Sequence, residues 1–285
     1  MPSISQHQSA STTKMLLIGD SGAGKTGALA SLAVAGYKLR IIDCDNGLDV
    51  LKNYLTDPNS QYTKQNPKCA ENVEFVTLTE PMKSVGGRIW PKQATVWQNV
   101  VKLLVNWEDG ETKLGPISGW GTDTILVIDS LSMLSTAALN FHLQMNGALG
   151  ATRTQNEARR DIGAAQNMLR DLFAMLYDSS VKCNVIVTSH ITLVTETGSA
   201  PIPGENSATV GYPSAIGRAL SPHIPRYFNT VLFVKAEGVG QGTRHKIFSR
   251  NQGIVNVKNT APLKVAPVYP LETGLADYFK AVRGA

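Results

Sequence analysis

Cysteine is scarce and scattered in this chain: there are three, Cys44, Cys69 and Cys183, and no two form a CxxC pair. That pattern argues against a disulfide framework and a paired-cysteine zinc site, and it predicts three reduced thiols. Long apolar runs are missing as well. The longest, such as 125–128 and 103–105, fall far short of the roughly 18–20 residues that span a bilayer, so no membrane partner is expected. Residues 1–13 are rich in Ser, Thr and Gln, with neither a basic start nor an apolar core. No secretory signal is expected there, and the cytoplasm is the expected location. Aromatics make up only 7%, yet hydrophobic residues reach 42% of 285 positions, enough for one substantial core. Collagen-like and wholly disordered chains are thereby excluded.

Acidic residues are the other shortage, and it is local. Residues 1–150 hold 12 Lys/Arg against 13 Asp/Glu, whereas 151–285 hold 15 against 9, so the net charge of +5 belongs to the second half. Between 206 and 271 Arg218, Arg226, Lys235, Arg244, Lys246, Arg250, Lys258 and Lys264 face one acid, Glu237. Such a stretch suits a polyanion, through phosphate neutralisation and counterion release, or forms a solvated basic face.

What is present is an alternation of short apolar runs and helical periods. Residues 14–18, 39–42, 73–78, 124–128, 184–188, 229–235 and 244–249 read as strands, with 254–257 as a further candidate to close the sheet. Helices are predicted over 25–35, after 48, around Val96 to Trp107, and over 156–177, where Ile162, Gln166, Leu169 and Phe173 share a face. Residues 57–72 and 108–123 read as loops, and 195–212, rich in Gly, Pro, Ser and Thr, as a mobile one. The fold class is therefore α/β, a mostly parallel central sheet flanked by helices with antiparallel late strands. The expected organisation is a tail over 1–13, a core over 14–260 and an extension with a short helix over 261–285.

Gly19-Asp20-Ser21-Gly22-Ala23-Gly24-Lys25-Thr26 satisfies GxxxxGK[ST] and lies between an apolar strand and a helix. Glycines let backbone N–H groups turn inward around a polyphosphate, and the helix start adds its positive dipole end. Lys25 would reach the β- and γ-phosphates and the Thr26 hydroxyl would bind Mg²⁺. The nucleotide-binding residues end with Thr26, and position 27 is expected to contribute none. The run 125–128 ends in Asp129, a carboxylate at a strand tip that would hold Mg²⁺ through water. ATP and Mg²⁺ are the cofactors expected.

Asp43 and Asp45, in Ile41-Ile42-Asp43-Cys44-Asp45-Asn46-Gly47-Leu48-Asp49, follow the strand that should lie beside the phosphate loop. At this point the sequence resembles the RecA-like ATPases, which carry a similar acidic turn after that strand. The resemblance implies that Asp45 takes the catalytic carboxylate position, as Asp where those proteins have Glu. It also implies that His190, closing Val185-Ile186-Val187-Thr188-Ser189-His190, senses the γ-phosphate, and that Lys246 and Arg250 act in trans as fingers in a neighbouring subunit. The similarity runs from about residue 14 to 260 and includes element order. By it, the segments 146–160, with Arg153, Arg159 and Arg160, and 191–226, with Gly198, Gly204, Gly211 and Arg218, are DNA-contacting loops.

A core with no appended helical domain, no RecA-type C-terminal domain and no obvious aromatic-x-x-Ala peptide is similar to the single-domain phage recombination ATPases that assist single-strand annealing. That likeness implies an ATPase stimulated by single-stranded DNA, a homo-oligomer as ring or filament, a single-strand-binding protein as partner, and the host cytoplasm. The alternatives are a helicase-like or loader-type NTPase, a nucleotide-binding scaffold with little turnover, and a nucleotide kinase. Against the kinase stands the absence of any Arg from the stretch 195–212.

Overall fold

Within β1 (Lys14–Gly19) Met15 and Leu17 enter one apolar cluster while Leu16 and Ile18 enter another. A strand buried on both faces has to lie inside a sheet covered by helices on both sides. The computed structural model describes residues 12–195, 209–238 and 240–283. In chain order β1 is followed by α1 (Lys25–Ala28), α2 (Ala30–Val34), β2 (Lys38–Asp43), α3 (Asp49–Thr56), α4 (Gln61–Gln65) and β3 (Val73–Thr77). The hairpin β4 (Met82–Val85) and β5 (Arg88–Pro91) comes next, then α5 (Val96–Val105) and the hairpin β6 (Trp107–Asp109) and β7 (Thr112–Gly115). The second half holds β8 (Thr124–Asp129), α6 (Leu131–Met145), α7 (Gln155–Tyr177), β9 (Asn184–Ser189), β10 (Ile191–Thr195) and β11 (Thr209–Pro213). It closes with β12 (Thr230–Glu237), β13 (Arg244–Phe248), β14 (Val268–Pro270) and α8 (Leu271–Arg283).

Eight strands form one sheet in the order β14-β13-β12-β1-β9-β8-β2-β3. Pairings from β3 through β12 are parallel, and β12-β13-β14 are antiparallel. This is the α/β class expected for a RecA-like core. Helices α5, α6 and α7 cover one face, while α1 to α4 and α8 cover the other. The long helix α7 starts where its capping box sits: Thr154 Oγ1 accepts from Glu157 N–H, and the Glu157 carboxylate accepts from Thr154 N–H.

Several expectations shift. The predicted helix over 25–35 is divided at Leu29 into α1 and α2. The predicted loop 57–72 contains α4, capped by Ser60, whose hydroxyl accepts from Tyr62 N–H. Residues 254–257 do not close the sheet: they make isolated bridges, and β14, from the predicted extension, takes the free edge of β13 instead. Helix α8 buries Leu275, Tyr278 and Phe279 in the same cluster as Met15 and Leu17. Helix α6 has no counterpart among the predicted helices. Of the stretch predicted as mobile, 196–208, with Gly198 and Gly204, lies outside the described residues, as do residues 1–11. Among the described residues no helix is long and apolar enough to cross a membrane.

Candidate nucleotide site at the carboxyl edge of the sheet

Parallel register brings the ends of β1, β2, β8 and β9 to one edge, where Asp43 pairs with Asp129 and Ile18 with Ser189. Open α/β sheets bind ligands there. The loop after β1 turns through Gly22 (φ 74°) and Gly24 (φ 100°), left-handed conformations suited to glycine. Gly19 is required for a different reason: a Cβ there would lie 2.5 Å from Val234 O of β12.

Lys25 is buried, and its ammonium donates to Gly19 O and Asp20 O, both at 2.9 Å. Burial lowers its pKa, against the opposing pull of Asp129, Asp45 and Asp20. Thr26 Oγ1 donates to Asp129 Oδ2 at 2.6 Å, and Thr188 Oγ1 donates to the other carboxylate oxygen. Burial raises the pKa of Asp129, while those two hydroxyls pull it back.

The residue after Thr26 is a glycine, not a second threonine, so position 27 has no hydroxyl to offer a nucleotide or a metal. Gly27 is buried in α1, and a Cβ there would meet the Tyr54 ring of α3 at 3.0 Å. The position therefore serves the packing of α1 on α3, and Thr26 supplies the one hydroxyl of this pair of positions.

The two acids of the turn after β2 divide their work. Asp43 Oδ1 accepts from Asp45 N–H at 3.1 Å and Gly47 N–H at 3.3 Å, and its Oδ2 accepts from Thr77 Oγ1 at 3.0 Å, so it holds the turn. Asn46, at φ 52°, completes it. Asp45 instead points across to β8: its Oδ1 accepts from Ser130 Oγ at 2.8 Å and Ser130 N–H at 3.3 Å. Asp45 Oδ2 stands 3.8 Å from His190 Nε2, and His190 Nδ1 stands 3.4 Å from Lys25 Nζ. Lys25, Thr26, Asp45, Asp129 and His190 therefore converge on one place. A carboxylate and an imidazole held this way can orient a water beside a phosphate that the ammonium has drawn in.

The residues fit a magnesium triphosphate. Among the described residues no cluster of three or more His, Cys, Asp or Glu could hold a metal alone. A hydroxyl beside one carboxylate is the oxygen-only, incomplete donor set that Mg²⁺ accepts when phosphates supply the rest.

Three contacts lay beyond the sequence reading. Ser130 and Thr188 flank the predicted residues, and their positions beside Asp129 and His190 were the available signal. His245 had none: it reaches Ala23 O of the loop at 2.9 Å because β13 doubles back beside β12.

The predicted basic residues are scattered. Arg153 is committed to Asp161 (2.8 and 3.3 Å) and lies 3.7 Å from Glu157. Arg159, Arg160 and Arg218 are exposed. Gly217, at φ 72°, packs on Ile162 and Gln166 of α7, and Arg218 is the next residue along the chain. Lys246 lies 2.8 Å from Glu237, and Arg250 donates to Pro262 O at 2.6 Å. Neither touches the chain's own loop in these contacts. His245 faces the loop, and side-chain alternation puts Lys246 on the opposite face of the strand.

Among curated proteins no match to this sequence is found. Among solved structures the chain is similar to a KaiC-like protein from the hyperthermophilic archaeon Pyrococcus horikoshii OT3, at 13% identity and TM-score 0.41, over 90% of this chain and 84% of that one. It is similar to the flagellar accessory protein FlaH from Methanocaldococcus jannaschii at 11% and 0.41, over 92% and 87%. It is also similar to the RadB recombinase at 11% and 0.39, over 87% and 90%. The sequence matches the AAA domain model over residues 11–260, and the chain belongs to that family of P-loop domains.

Proposed function

We propose that this chain is an ATPase that couples the state of its nucleotide to single-stranded DNA, acting in recombination or annealing as a homo-oligomer. The observation that carries the reading is the convergence of Lys25, Thr26, Asp45, Asp129 and His190 at the carboxyl edge. Lys25 exchanges the carbonyls of Gly19 and Asp20 for β- and γ-phosphate oxygens. Thr26 and Asp129 hold Mg²⁺, which when bound screens the charge that develops on the phosphates. Asp45, fixed by Ser130, orients the attacking water and takes its proton, and His190 donates toward the γ-phosphate. Arg250 and Lys246 are assigned to a neighbouring subunit's site, and Arg159, Arg160 and Arg218 to the DNA backbone. A single-strand-binding protein is the partner this reading implies.

The test measures ATP hydrolysis with and without single-stranded DNA for wild type and Lys25→Ala. We expect DNA stimulation in the wild type and a loss of about 100-fold or more in the variant. No affinity for ATP in the presence of Mg²⁺ would overturn the reading.

A further inference from the structure

We propose that His245 is a positioning residue for nucleotide binding: its imidazole fixes the Ala23–Gly24 peptide so that Gly24 N–H is turned to a β-phosphate oxygen. The inference rests on the nucleotide reading above and deepens it.

Strand register puts the imidazole there. Gly19, the last residue of β1, pairs with Val234, but β12 runs on to Ala236, which pairs with His245 of β13. His245 therefore stands beyond the end of β1, level with the loop that follows it. Ile247, two residues along, is buried in the cluster that holds α1, α2 and α8, and alternation puts His245 on that same face of the sheet. Leu271, the first residue of α8, joins it: a Cβ added to Gly24 would lie 3.0 Å from Leu271 Cδ2 and 3.3 Å from His245 Nδ1. Two side chains from the end of the chain thus brace Gly24.

The hydrogen bond has one direction. His245 Nδ1 lies 2.9 Å from Ala23 O, and a carbonyl only accepts, so Nδ1 carries the proton and donates. Ala23 is 3% exposed, and among the described residues no backbone N–H donates to its carbonyl. Without the imidazole this oxygen would be a buried acceptor left unpaired, and the peptide would turn to find another donor. The peptide is trans, so its C=O and N–H point opposite ways. Holding Ala23 O toward β13 therefore turns Gly24 N–H away from that strand. Among the described residues this amide meets no backbone acceptor. Backbone amides of such a loop hold α- and β-phosphate oxygens, which ADP and ATP share, so His245 should serve both nucleotides equally.

The experiment titrates ATP and ADP, with Mg²⁺, into the full wild-type chain, His245→Leu and His245→Asn, and follows steady-state hydrolysis alongside. We expect His245→Leu to bind both nucleotides about ten-fold more weakly, the scale of one hydrogen bond to a buried acceptor. Turnover at saturating ATP should stay within about two-fold of wild type, since only binding is lost. An asparagine amide carries its donor near the place of Nδ1 and has no charge, so His245→Asn should restore affinity to within about two-fold. Two-bond proton–nitrogen correlation spectra of the wild type at about pH 8, above the usual imidazole range, should show His245 protonated on Nδ1. That measurement needs no variant to fold. A ring protonated on Nε2 alone, wild-type affinity in His245→Leu, equal weakening in His245→Asn, or a loss confined to ATP would each overturn the role and leave the nucleotide reading standing. No affinity of the wild type for either nucleotide would sink both.

Discussion

Ser130 decides where Asp45 points, because its hydroxyl and amide both donate to the same carboxylate oxygen. The other oxygen is left toward His190 and the phosphate loop. We expect Asp45→Asn to lower turnover by at least about 100-fold with nucleotide affinity unchanged, measured by steady-state hydrolysis and nucleotide titration. Unchanged turnover would instead mark a scaffold in which ATP sets assembly. A second residue makes a pH prediction. Lys14 is buried at the start of β1, donating to Val181 O and Cys183 O, and burial pushes its pKa down from 10.5 to about 8, against a smaller upward effect of Cys183. The unfolded chain keeps that proton up to 10.5, so between about 8 and 10.5 it binds more protons than the folded one, and stability rises with pH in that window. Urea melts should show wild type gaining on Lys14→Met across those pH values and no slope from this group below them. A flat difference would contradict it.

At the scale of elements, contact between β1 and β12 depends on the missing side chain of Gly19. With Val234 O at 2.5 Å from an added Cβ, Gly19→Ala must push β12 away or twist the loop. We expect a loss of about 1–3 kcal/mol in thermal or denaturant unfolding and weaker nucleotide binding. Element boundaries followed local pattern where the pattern was strong. The predicted helix over 156–177 differs by one residue from α7, because Thr154 and Glu157 cap it and its apolar residues keep one face. Helix α6 escaped because its apolar residues, such as Leu131, Met133, Leu134, Leu139 and Phe141, run round the cylinder and leave no stripe to read. It is packed between α5 and α7, and neighbours rather than periodicity define it.

At the scale of the molecule, basic residues from distant segments have to act together if DNA is the partner. The affinity for single-stranded DNA should then fall linearly with log salt, with a slope of roughly −0.7 for each phosphate neutralised. Combining Arg159→Ala with Arg218→Ala should make that slope shallower by about 1.4, in fluorescence titrations across salt concentrations. Arg153→Ala should act differently: its guanidinium is spent on Asp161 and Glu157, so the change should appear in the stability of α7 before it appears in the salt slope.

The phosphate loop and Asp129 were legible because each is a local pattern, a contiguous turn and a strand ending in a carboxylate, whose chemistry needs no distant residue to recognise. The alternation of apolar runs likewise specified a parallel sheet buried on both faces. The meeting of Asp45 with Ser130, 85 residues away, and of His245 with Ala23, 222 away, came from strand order and register. Those long-range pairings depend on how β2 lies against β8 and how β13 folds back beside β12, and no local propensity encodes them. The same holds for the edge strand β14, which wins over residues 254–257 by packing its helix α8 into the core.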